Sequence, residues 1–177
     1  MKRFLFTALT FASLCFAGCS DNGINGEKGD YEFKSSHLSF NFNLEGDVAS
    51  MVEVVPSSTI TADKGTVSSS SDGTKHNVFV SNINCPAKFD LIFTLKPKSN
   101  ITIEENKNYT YSSTYDYTVT RNFSDDSHLV SETAKSTEMS GTIRGKDIAK
   151  FFEINEKNVF SFSFSADGFI DDTTEDE

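Results

Sequence analysis

Residues 109–123 read YTYSSTYDYTVTRNF, and their alternation decides the fold. Odd positions carry Tyr109, Tyr111, Ser113, Tyr115, Tyr117, Val119, Arg121 and Phe123. Even positions carry Thr110, Ser112, Thr114, Asp116, Thr118, Thr120 and Asn122. Successive side chains of a strand point to opposite faces, so this is one long strand with an aromatic side and a hydroxyl side. Ser124 to Ser127 makes a polar turn, and His128 to Ile143 resumes in extended style. The two arms are expected to pair as an antiparallel hairpin. The second arm is poorer in large apolar residues, having Leu129, Val130, Met139 and Ile143. That suits an edge strand, on which Lys135 and Glu138 would discourage further pairing.

The same period recurs on either side. Leu38, Phe40, Phe42 and Leu44 share one face of a half-buried strand that Gly46-Asp47 breaks. Val52 and Val54 start an extended piece expected to end at Pro56. Thr59 to Thr61 and Thr66 to Ser68 read as short edge strands, and Ser68 to Ser71 with Asp72-Gly73 as a polar loop. Val78 and Val80 mark a strand before Pro86. Phe89, Leu91, Phe93 and Leu95 mark another, stopped by Pro97, and Ile101 and Ile103 add a brief extended piece. Gly145 closes the pattern, after which Asp147 is placed to cap a short helix with Ile148, Phe151 and Phe152 on one face. Phe160, Phe162 and Phe164 then alternate with serines up to Asp167-Gly168. Eight to ten short strands, frequent turns and one short helix imply a mainly β protein, an antiparallel β-sandwich or barrel.

The N-terminus has a different character. Lys2 and Arg3 precede an apolar run from Phe4 to Phe16, too short for the roughly 20 residues of a membrane-spanning helix. It ends in Phe16-Ala17-Gly18-Cys19. This resembles the signal peptide and lipobox of bacterial lipoproteins, with Phe16 where leucine is commonest. The resemblance covers residues 1–20 alone and implies cleavage before Cys19 and acylation of its thiol by a diacylglycerol and fatty chains such as palmitate. Two or more chains suffice for a stable anchor without a span. It also implies a place in the bacterial cell envelope, at the outer membrane, on its periplasmic or surface face. The expected organisation is a signal at 1–18, a lipidated cysteine and glycine-bearing tether at 19–30, a single β-rich domain at 31–170 and an acidic tail at 171–177.

Composition narrows the function. The 177 residues carry a net charge of −10, which argues against nucleic acid and against broad contact with anionic headgroups. Of the three cysteines, Cys15 would leave with the signal and Cys19 would carry lipid. Cys85 then has no intramolecular disulfide partner and is expected as a small residue at or near the core. His37, His76 and His128 stand on separate segments without metal-ligand spacing, so no metal and no cofactor is expected. No nucleophile elbow, phosphate-cradling loop or Cys/His motif is present. A hydrolase would need two carboxylates brought together by the fold.

The tyrosine side is the candidate site. Tyr109, Tyr111, Tyr115 and Tyr117 are four of the five tyrosines, and they fall on one side of one strand. Such a stripe either stacks ligands, sugar rings above all, or packs a core with hydroxyls at the rim. The expectation is a non-enzymatic binding module for a glycan, a small ligand or an envelope protein. The alternative is an adhesin-like assembly subunit that uses an exposed strand edge.

Overall fold

The computed structural model describes residues 32–171. The expected signal, Cys19, the expected tether and the residues beyond Asp171 lie outside the described residues. Eight strands form two antiparallel sheets. In chain order they are β1 (Phe33–Glu45), β2 (Val52–Ser58), β3 (Thr66–Asp72), β4 (Lys75–Ile83), β5 (Ala87–Pro97), β6 (Asn108–Phe123), β7 (His128–Arg144) and β8 (Lys157–Phe164). The short helix α1 (Ile148–Ile154) joins β7 to β8. One sheet has the order β3-β4-β1-β6-β7 and the other β2-β5-β8. The sheets pack face to face, so the sandwich alternative is the one realised.

Alternation produces the core directly. Leu38, Phe40, Phe42 and Leu44 of β1 are each at most 1% exposed. They meet Leu91, Phe93 and Leu95 of β5 and the phenylalanines of β8. Phe40 lies 5.6 Å from Phe93, 4.7 Å from Phe160 and 5.8 Å from Phe162, ring centre to ring centre. Phe42 lies 4.7 Å from Phe93. Edge-to-face and offset pairs at these distances add to the burial of the rings themselves. These contacts also fix how the sheets overlap: β5 covers β1, and β8 covers the seam between β1 and β6. The five-stranded sheet is therefore wider than its cover, and β7 extends beyond it.

Several local expectations change. Pro56 does not end β2 but sits within it, opposite Phe93. β2 has a neighbour on one side only, where the missing N–H breaks no ladder. Ser68 to Ser71 are not a loop but part of β3, paired residue for residue with β4. Every residue of β3 is exposed, so it carries no buried face for periodicity to reveal. Its hairpin turns at Gly73-Thr74, with Gly73 at φ 61°, where glycine adopts a left-handed backbone without a Cβ penalty. Thr59 to Thr61 form no strand, and Ile101 and Ile103 are unpaired, packing against the end of the core instead. Asp147 makes no side-chain cap. A short 3-10 turn, Gly145–Asp147, leads into α1 instead, and Ile148, Phe151 and Phe152 are buried as the spacing requires.

Candidate functional site

β6 lies between β1 and β7, and its register brings Tyr117 opposite Phe40 and Tyr115 opposite Phe42. The odd residues of β6 thus point into the sandwich. Ser113 and Val119 are fully buried, while Tyr111, Tyr115 and Tyr117 are half-buried. Tyr115 packs on Phe40 at 5.7 Å and on Phe160 at 5.0 Å. Tyr117 meets Phe162 edge to face at 5.5 Å, and Tyr111 meets Phe151 of α1 at 4.7 Å. Each ring therefore gives part of its surface to the core and keeps part at the rim.

Tyr109 does not belong to this group. It is 3% exposed, its hydroxyl accepts a 2.9 Å hydrogen bond from the Glu104 amide, and Lys107 lies over its ring at 5.1 Å. Burial beside the loop 98–107 leaves almost none of Tyr109 at the surface that Tyr111, Tyr115 and Tyr117 reach.

The neighbouring strand completes the floor. Two irregularities in the pairing, at Ser113/Thr114 and at Val119/Thr120, each insert one extra residue in β7. Its inward residues are consequently Glu132, Ala134 and Ser136 in one stretch and Met139, Gly141 and Ile143 in the next. Three of the six, Ala134, Ser136 and Gly141, are small. The Tyr111 ring reaches across the strand, so that a Cβ on Gly141 would sit 3.1 Å from its hydroxyl. The Tyr117 hydroxyl donates to the Glu132 carboxylate. Glu132 faces the same side as the tyrosines but carries no signal in the sequence, because the extra residues in β7 set its phase.

The result is a trough. Tyrosines and small β7 residues floor it, and β8 flanks it. One end is closed by α1 through Phe151. The other is closed around Arg121, whose Nε donates to the Asp167 carbonyl at 2.7 Å and whose guanidinium lies 4.0 Å over Phe169. Gly141 and Ser136 are exposed although they point inward, which marks this face as uncovered.

Other candidate positions are dispersed. His37 stacks on Phe79 at 5.6 Å on the outer face, and burial holds its imidazole below the ordinary value with His128 adding to the effect. His76 is 6% exposed at the opposite end of the sandwich, and burial lowers it as well. It lines a cleft of about 250 Å³ with Leu44, Val52, Glu53 and Lys98, and no tyrosine takes part. Cys85 is half-buried, and burial pushes its thiol up. Among the described residues no three His, Cys, Asp or Glu side chains gather as a metal site would require.

Fold and surface together define a two-sheet antiparallel sandwich with one uncovered, tyrosine-floored inner face. No family model, no curated protein and no solved structure matches the chain.

Proposed function

We propose that the chain is a lipid-anchored protein of the bacterial cell envelope whose β domain works by binding, at the trough between β7 and β8. The uncovered inner face carries this reading. Aromatic residues that complete a core are ordinarily covered, whereas Tyr111, Tyr115 and Tyr117 keep ring edges and hydroxyls at a rim flanked by an open strand. Aromatic bodies with polar tips suit a surface that must be wet when empty and dry when filled. The signal-like N-terminus and Cys19 support the anchor and a position at the outer membrane, on its periplasmic or surface face. A second reading, assembly through a strand edge, is favoured by the position of β7 at the margin of its sheet.

The test uses the full-length protein. Oligosaccharides, short aliphatic ligands and envelope-derived peptides are titrated against wild type and the double variant Tyr115→Phe/Tyr117→Phe. Removing two hydroxyls while keeping both rings should weaken binding about thirtyfold, at about 1 kcal/mol per lost hydrogen bond, with the fold intact. Equal binding by the variant rejects the tyrosine rim as the site. In the same preparations Cys19→Ala should abolish palmitate labelling and release the protein from membranes.

A further inference from the structure

β8 has β5 on one side only. Glu156, just before it, gives its carbonyl to Leu95, and Ser163 gives its carbonyl to Asp171 on the far side at 2.8 Å. Backbone groups of a strand alternate in direction, so Lys157, Val159 and Ser161 direct their N–H and C=O groups away from β5, as Ser163 does. Among the described residues no backbone group meets Val159 or Ser161 there. The chain itself starts to occupy this edge: Ile170 bridges Phe164 in antiparallel sense, and Asp171 follows. The part with no backbone partner among the described residues, Lys157 to Ser161, spans about 17 Å at roughly 3.4 Å per residue.

Opposite that edge, across the sandwich, lies the inward face of β7. One strand added to β8 would cover it and complete the smaller sheet. A second copy of the chain does not fit: pairing β8 with β8 of another molecule would bring that molecule's β6 to the place β7 already occupies. The slot is one strand wide.

We infer that the trough accepts a single extended segment of another polypeptide, hydrogen-bonded to β8 and covering β7. This deepens the binding reading above and rests on it. The floor specifies the segment. Ala134, Ser136 and Gly141 leave room that bulky apolar side chains at alternate positions would fill, against the edges of Tyr115 and Tyr117. The charges on this face are Glu132 and, at its closed end, Arg121, which is held by the Asp167 carbonyl and Phe169. The Glu132 carboxylate accepts the Tyr117 hydroxyl and forms no ion pair among the described residues. With the chain at −10 overall, the complementary segment carries basic residues at its ends. Main-chain bonds would supply affinity and the alternate side chains specificity.

The blocked peptide Lys-Val-Thr-Phe-Thr-Val-Lys is the probe, titrated against the full-length protein by calorimetry and by amide chemical shifts. Ala134→Trp fills the slot from a half-exposed position. Val159→Pro removes one outward N–H from a residue 52% exposed, without touching a bond to β5. Each variant should weaken the peptide about tenfold while the melting temperature holds. A copy of the peptide N-methylated at alternate amides should bind equally poorly, which keeps the test decisive if a variant is unstable. Loss with Ala134→Trp but not with Val159→Pro or N-methylation overturns strand addition and leaves the trough as a site. Binding of a chito-oligosaccharide but not the peptide does the same. Peptide binding indifferent to both variants overturns the inference and the trough reading together.

Discussion

The two arms of the β6–β7 hairpin pair along nearly their whole length and share one sheet face, yet they live in different surroundings. β6 has β1 on one side and β8 above it, so its odd residues press into phenylalanines. β7 has one neighbour and little above its middle, and three of its six inward residues, Ala134, Ser136 and Gly141, are small. β6 is hydrogen-bonded on both edges and covered, whereas β7 is bonded on one edge and left open over its middle. Stability should therefore reside in what faces β6, while β7 is free to serve recognition.

The largest expected effect tests the covered side. Phe40 is fully buried and touches Phe93, Tyr115, Phe160 and Phe162. Phe40→Ala should destabilise the domain by about 3–5 kcal/mol in urea titration, through lost transfer energy and the cavity left behind. Ser136→Ala, on the inner face of β7, should change it by no more than about 0.5 kcal/mol. Comparable losses at the two positions would break the contrast, because they would mean that something covers β7.

A smaller effect separates covered from uncovered by pH. His76 points inward from β4, next to Phe42, in a cleft that also presents Glu53 and Lys98. Burial lowers its folded-state pKa below the ordinary imidazole value of about 6.5. For a base this means that the unfolded chain binds the proton first. Stability is full above about pH 6.5 and falls as the pH drops through that value toward the folded pKa. His37 titrates in the same direction, so the effects add. His76→Phe should flatten part of the decline in melting temperature between pH 7.5 and 5. An unchanged slope would show that His76 is solvated.

The alternation in β1, β5, β6 and β8 was legible because each buries one face against a second sheet, and period-2 patterning is the trace of that burial. β3 was not legible, since all its residues are exposed and only backbone pairing with β4 makes it a strand. β7 was half legible. Its inward phase runs even from Glu132 to Ser136 and odd from Met139 to Ile143, because the pairing with β6 slips between them. A reader of residue types sees an irregular, weakly apolar arm; the alternation is intact in each stretch and only its phase changes. The tyrosine side of β6 could be read from spacing, but which tyrosines stay accessible could not. That depends on where β8 ends its cover and on the loop that buries Tyr109.

The smallest effect probes the contrast at the point where it is finest. Gly141 faces inward on β7 opposite Tyr111, and its backbone is not in the left-handed region, so an alanine meets no conformational barrier. Gly141→Ala should gain about 0.4–1 kcal/mol by restricting the unfolded chain. Against this, the new Cβ would lie 3.1 Å from the Tyr111 hydroxyl and 3.3 Å from its Cζ, so the ring must give by a few tenths of an ångström. Tyr111 is held by Phe151 at one edge and is otherwise at the rim. A ring in an uncovered trough yields to such a contact, and the variant should be slightly more stable than wild type in urea. A loss of more than about 1 kcal/mol, the range of overpacked cores, would mean that Tyr111 is clamped. The trough would then begin beyond it, at Tyr115.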